Sequence, residues 1–394
     1  MKRVRNLYII LSILLICVSV SGCKDSNFET IKNDNLKVPR PEVVKIGVFE
    51  PVTGAYSYAG NLELEGIKLA NQLYPFVDDI KIELVVMDNQ SDKLASARVV
   101  SDLIQNEGVS ALIGSWSSTL SLSAGPIIND LKVPAVAPTS TNQDLTIGND
   151  YYFRACFSDA YQGSTLAGYA YYDLGIRTIA LVTERGNDYS NGLGRFFADR
   201  FVELNDSDHN VIIYRIEYDP NQILNEEEFD KIIISNPDAI FIPGGYSETA
   251  HWIKKAREYG YDGIFIGGDT WDNDVFVTYG GKSVEGAIFS SFYTSEIALT
   301  QESTVFLENY KNKYGKEPTA IAALGYDAYL MIKDAIQRSA SSDPEELKNA
   351  LKEISNLSGA AGLITMNELG EPERILIIKT VKDGAIRSIT TIDN

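Results

Sequence analysis

The chain has 394 residues, with 54 acidic against 35 basic side chains, a formal net charge of −19, three cysteines and two histidines. So acidic a body excludes nucleic acid as a partner and excludes lying flat on an anionic membrane. The few Cys and His residues show no zinc-like spacing, so no metal and no cofactor is expected.

The chain opens with Lys2, Arg3 and Arg5, an apolar run from Leu7 to Val20, and Val20-Ser21-Gly22-Cys23. A basic start, a short apolar core and small residues describe a secretory signal peptide over residues 1–22. The run is shorter than the roughly 20 apolar residues a spanning helix needs. The cysteine after Ser-Gly resembles the lipobox of bacterial lipoproteins, which implies that Cys23 carries a lipid and becomes the first mature residue. A simple signal peptide or an uncleaved anchor helix is the alternative. Residues 23–43 read as the lipidated cysteine and a flexible linker, too polar to offset their ordering entropy. The protein is thus expected outside the cytoplasm, lipid-anchored at the cell membrane. With Cys17 in the signal and Cys23 lipidated, no intramolecular disulfide is available, and Cys156 reads as a packed apolar residue.

From there apolar strands alternate with helical patterns. Strands are predicted at Val44–Phe49, Ile80–Met87, Val109–Ile113 and Val133–Ala137, and helices at Asn61–Tyr74, Lys93–Glu107 and Thr119–Leu131. In the first helix Leu62, Ile67, Ala70, Leu73 and Tyr74 face inward. The alternation restarts with helices at Gln162–Leu174, Ser190–Leu204, Glu226–Ser235 and Glu248–Tyr259, and strands at Thr178–Thr183, Val211–Tyr218, Ala239–Ile242 and Gly263–Ile266. Helices at Ser303–Tyr314, Thr319–Arg338 and Pro344–Ile354 follow, then short strands at Gly362–Thr365, Arg374–Val381 and Ala385–Ile389. Near-continuous apolar strands between amphipathic helices indicate parallel sheets covered on both faces. The fold class is α/β, with two doubly wound parallel-sheet lobes.

In open parallel sheets ligands sit beyond the carboxyl ends of strands. Those ends carry Trp116-Ser117-Ser118-Thr119, Pro138-Thr139-Ser140-Thr141-Asn142, a polar loop reaching Tyr189, Gly244-Gly245-Tyr246 and Gly267-Gly268-Asp269-Thr270-Trp271. Ser118, Thr139 and Thr141 lie near helix starts, where free N–H groups and the positive dipole end suit an anion. Asp269 offers a negative charge to an ammonium, and Tyr58, Trp116, Tyr189, Tyr246 and Trp271 offer flat walls. An anion cradle, a carboxylate and aromatic walls fit a zwitterion with an apolar part. Taken singly, the hydroxyls also read as N-caps and Asp269 as a turn residue. Arg185 reads as solvent-facing.

These motifs, with Pro51-Val52-Thr53-Gly54, Phe153-Arg154 and Ser158-Asp159-Ala160-Tyr161-Gln162-Gly163, resemble in order the leucine/isoleucine/valine-binding proteins, type I periplasmic binding proteins that feed ATP-driven importers. The resemblance spans Val44 to about Asp393. It implies that Ser118 and Thr141 hold a ligand α-carboxylate, that the Thr139 carbonyl and Asp269 hold the α-ammonium, and that Tyr189 and Tyr246 close over it. Trp116 and Trp271 would shape the side-chain pocket, and Tyr58, or Tyr56 in its place, would touch the ligand. It also implies a three-stranded hinge near Arg154–Ser158, Phe289–Thr294 and Ala360–Thr365. One lobe would hold 44–156 plus 293–360, the other 157–292 plus 361–394. The chain departs from the family pattern at Ala55 and Ala59, in a longer loop before Tyr189, in lacking the early disulfide, and in the bulk of Trp116.

The function this implies is capture of an amino acid, branched-chain or otherwise small and apolar, by a monomer that delivers it to the permease subunits of an ABC importer. The alternatives are a ligand-sensing receptor subunit without transport, or an amide, urea or aromatic acid as ligand. No nucleophile elbow or phosphate loop is present in the sequence, so an enzyme is not expected.

Overall fold

The computed structural model describes residues 40–219 and 226–392, so the expected signal peptide, Cys23 and most of the linker lie outside the described residues. Two sheets form the centres of two lobes. The first has the strand order Phe76–Val77, Ile80–Val86, Val43–Val48, Ala111–Ile113, Ala135–Ala137 and Tyr152–Arg154. It is parallel apart from the edge hairpin of the first two strands.

The period of two along each strand sends side chains to both faces, and both are covered. Val44, Ile46, Val48 and Ile113 join Leu64 and Ile67 of the helix Ser57–Leu73 in one core. Leu112, Ala135 and Ala137 join Leu103 and Ile128, from the helices Lys93–Gln105 and Ser118–Leu131, in the other. The helix Ser57–Leu73 also packs along Ala320–Ser339. Glycines let these backbones meet: a Cβ on Gly66 would sit 1.9 Å from the Ala322 carbonyl oxygen, and one on Gly325 2.4 Å from the Glu63 carbonyl oxygen.

The second sheet runs Ala385–Ile392, Leu376–Lys382, Ile288–Ser291, Ile264–Gly267, Ala239–Phe241, Ile179–Glu184 and Ile212–Tyr218. Its last five strands are parallel, and the two C-terminal strands join antiparallel, so the sheet is mixed. The strands Tyr152–Arg154 and Ile288–Ser291 and the helix Asp274–Gly280 were not anticipated from the hydropathy pattern. They are short and carry Arg, Ser or Asp, so their burial comes from neighbours and not from local apolar alternation.

The chain passes between the sheets after Arg154, where Ala155, Cys156 and Phe157 are buried, and again after Ser291. The third passage comes later than expected. Residues Leu357–Gly359, Gly362–Met366 and Pro372–Glu373 form a small antiparallel sheet of their own. Asp327, on the helix Ala320–Ser339, accepts from the N–H groups of Ala360 (2.5 Å) and Ala361 (3.2 Å). It also pairs with Arg374 at 2.8 Å, with both side chains buried. That charge keeps the backbone on the first lobe until Arg374, and the second sheet begins at Leu376.

Candidate functional site

A cavity of about 330 Å³ lies between the carboxyl ends of the two sheets. From the first lobe it is lined by Tyr56, Trp116, Ser117, Ser118 and Thr139, and from the second by residues that include Tyr189, Tyr246 and Asp269. Thus Ser118, Thr139, Trp116, Tyr189, Tyr246 and Asp269, all named from strand ends, come together in one space.

Ser117 stands before the helix Ser118–Leu131 at φ +79°, and no side chain caps that helix. The first-turn amides of the helix have no side-chain acceptor of their own, and Ser117 and Ser118 at that end line the cavity. Ser118 Oγ accepts from the Asn142 N–H at 3.2 Å, which ties the two hydroxyl-rich loops together. Arg154, fully buried, binds the carbonyls of Ser140 (3.0 Å) and Asn142 (2.9 Å) and pairs with Glu371 at 3.0 Å. The loop carrying Thr139 and Thr141 is thereby fixed from behind.

Across the cavity, Asp269 Oδ1 accepts from Tyr189 Oη at 3.0 Å and from Gln162 Nε2 at 2.5 Å. Burial pushes its carboxyl up to about 7, against the lowering effect of the Tyr189 hydrogen bond. Such a carboxyl is poised to ionise when a cation arrives. Gly268 matters here: a Cβ at that position would lie 2.1 Å from Tyr189 Oη.

Three residues expected at the site lie elsewhere. Trp271 is fully buried and stacks on Phe276 with ring centroids 4.6 Å apart, so it belongs to the second lobe's core. Its ring packs under Gly267, inward from the loop that presents Asp269. Tyr58 is 41% exposed and meets Tyr246 edge-to-face at 5.8 Å, outside the cavity lining. Tyr56 lines the cavity in its place. Thr141 is fully buried one step behind; its carbonyl accepts the Asp159 N–H at 2.7 Å and its hydroxyl faces the Asp159 carboxyl. Arg185 pairs with Glu217 at 3.2 Å with most of its side chain in solvent.

The strand-end reading missed Glu184, Asn187 and Glu248, which also line the cavity. Glu184 is the last residue of the strand Ile179–Glu184, so the rule that located the other residues also points to it. Together with Asp269 it makes the cavity acidic, and among the described residues neither Lys nor Arg lines it. The lobes touch around the cavity. Thr119 Oγ1 donates to Asp188 Oδ2 at 2.9 Å, and Asn142 Nδ2 donates to the Asp188 carbonyl at 2.7 Å.

The sequence profile of the family described as periplasmic binding protein matches residues 43–385. The chain belongs to that family. This periplasmic binding protein is 23% identical over 337 residues to a Leu/Ile/Val-binding protein homolog of Brucella melitensis, covering 83% of this chain and 88% of that one. It superposes on a leucine binding protein, LivK, of Thermotoga maritima with a TM-score of 0.84 and 36% identity, covering 89% and 99% of the two chains. A solute binding protein of an ABC transporter from Rhodopseudomonas palustris, solved with 3,4-dihydroxybenzoic acid, shares the fold at a TM-score of 0.78 and 22% identity over 89% and 98%. The family places the binding protein outside the cytoplasm.

Proposed function

We propose that this protein captures a free α-amino acid, branched-chain or otherwise small and apolar, and delivers it to an ABC importer while anchored through a lipid on Cys23. The observation that carries the reading is the placing of an uncapped helix start and a buried carboxyl in the same cavity. In this reading the ligand carboxylate takes the Ser118 hydroxyl and the first-turn N–H groups, with the Thr141 backbone supporting that loop. The ammonium takes Asp269 and the oxygen atoms of Thr139. Tyr189 and Tyr246 cover the ligand from the second lobe, and Trp116 limits its side chain. The leucine binding protein at 36% identity supports this ligand class.

An aromatic acid fits less well. Its bare carboxylate would enter a cavity lined by Asp269, Glu184 and Glu248 with no cation to offset them. A sensing role without transport would use the same cavity, and uptake by vesicles holding the cognate permease separates the two.

The test is calorimetry of the mature protein against L-leucine, L-isoleucine, L-valine, L-lysine, benzoate and urea. Binding of an α-amino acid that falls by about a hundredfold in Asp269→Asn is the expected result. Binding of benzoate or urea alone would replace the reading, and unchanged affinity in Asp269→Asn would remove that residue from the site.

A further inference from the structure

Behind the first-lobe wall of the cavity lie two carboxyl groups that no ligand contact explains. Glu50 follows the strand Val43–Val48, and Glu63 sits on the helix Ser57–Leu73; both are fully buried. Glu50 Oε2 accepts from the Trp116 N–H at 2.8 Å. Glu63 Oε1 accepts from the Thr139 hydroxyl. The remaining oxygens, Glu50 Oε1 and Glu63 Oε2, have no protein donor. Two ionised carboxylates in contact, both out of water, would combine desolvation with repulsion. One proton shared between the two neighbouring carboxyl groups removes both penalties.

We propose that Glu50 and Glu63 form a carboxylic acid–carboxylate pair that holds one proton and positions Trp116 and Thr139 at the ligand cavity. Burial and the neighbouring carboxyl both push Glu63 far above the usual carboxylate range, so the proton stays at neutral pH. The groups acting on the pair are uncharged: the Thr139 hydroxyl and the Trp116 N–H, with the Ser115 hydroxyl beside Glu50. The phenol of Tyr152, from the edge strand, also feels both carboxyls, and it donates its own proton to the Gly114 carbonyl at 2.7 Å. Arg154, on the same strand, is committed to Glu371 and to backbone carbonyls.

The consequence for binding is directional. A Thr139 hydroxyl that gives its hydrogen to Glu63 has only lone pairs left to offer. It can accept from an ammonium but cannot donate to a carboxylate, so the pair helps fix which end of a zwitterion lies there. This last step rests on the amino-acid reading above; the shared proton does not.

The proton is read by infrared spectroscopy of the ligand-free protein at pH 8, and the positioning by calorimetry with L-leucine. Wild type should show a carboxylic-acid carbonyl band that Glu63→Gln lacks, read in the wild-type-minus-variant difference spectrum, which cancels the Asp159 carboxyl that burial lifts to about 8. Glu63→Gln, whose amide bonds Glu50 and still accepts from Thr139, should bind leucine within about threefold of wild type. Glu63→Leu, which cannot hold Thr139, should lose about tenfold or more in affinity, measured below its own unfolding temperature because the substitution also leaves Glu50 buried without its partner. Absence of the band from the difference spectrum would overturn the shared proton. Full leucine affinity in Glu63→Leu would overturn the positioning role. A band with no amino-acid binding in wild type would sink the functional reading and leave the pair standing.

Discussion

Asp269 is the residue on which ligand charge and pH meet. Its carboxyl is lifted to about 7 by burial in the unliganded site, and an ammonium partner requires it ionised. Below pH 7 the protein must release a proton to bind, so affinity should fall by up to about tenfold per pH unit on acidification and level off above pH 7. Calorimetry at pH 6 in buffers of different ionisation enthalpy should show proton release, and Asp269→Asn should abolish it. Gly268 makes a second test. Its backbone is ordinary (φ −102°), so Gly268→Ala acts through the added methyl alone. That methyl would crowd the Tyr189 phenol away from Asp269 and also press on the core side chain of Leu193, so leucine binding should weaken about tenfold with a modest fall in the thermal unfolding temperature. At this scale the sequence was legible where chemistry follows strand ends: Ser118, Thr139, Tyr189, Tyr246 and Asp269 all reached the cavity. Trp271 and Tyr58 were misplaced because a loop position does not tell which way an aromatic ring turns. Glu63 left a readable trace. It stands four residues before Ile67, on the face assigned to the core, where a carboxyl needs a partner.

Among the elements, the helices Ser57–Leu73 and Ala320–Ser339 meet at Gly66 and Gly325 with no room for a methyl group. Gly66→Ala should cost about 1–3 kcal/mol from overpacking, offset by up to about 1 kcal/mol of helix propensity. Urea unfolding should show a lower midpoint at unchanged slope, and the opposite shift would mean that the helices can part. Helices and long strands were readable because their apolar period persists over many residues. The three-residue strand Tyr152–Arg154 was not, since Arg154 is buried for its bonds to Ser140, Asn142 and Glu371, a tertiary reason that local pattern does not carry. The late third passage has the same origin in Asp327 and Arg374.

For the whole molecule, capture depends on the balance between parted and apposed lobes, and contacts made only when the lobes meet set that balance. Across the cavity rim the Asp188 carboxylate takes the Thr119 hydroxyl, while the Asn142 side chain bonds the Asp188 backbone carbonyl, a contact that a side-chain substitution leaves in place. Asp188→Ala should weaken leucine binding by about three- to tenfold through a shift toward the parted form, and small-angle scattering of the unliganded variant should give a larger radius of gyration. The interleaved chain path carries a different consequence. The packing partner of Ser57–Leu73 is a helix that begins only at Ala320, and the two C-terminal strands that complete one side of the second sheet begin at Leu376. Neither half can be completed from a growing chain until almost every residue is available. Early segments must wait, uncommitted, for late ones, so this architecture favours a polypeptide that crosses a membrane as an open thread and acquires its structure only on the far side.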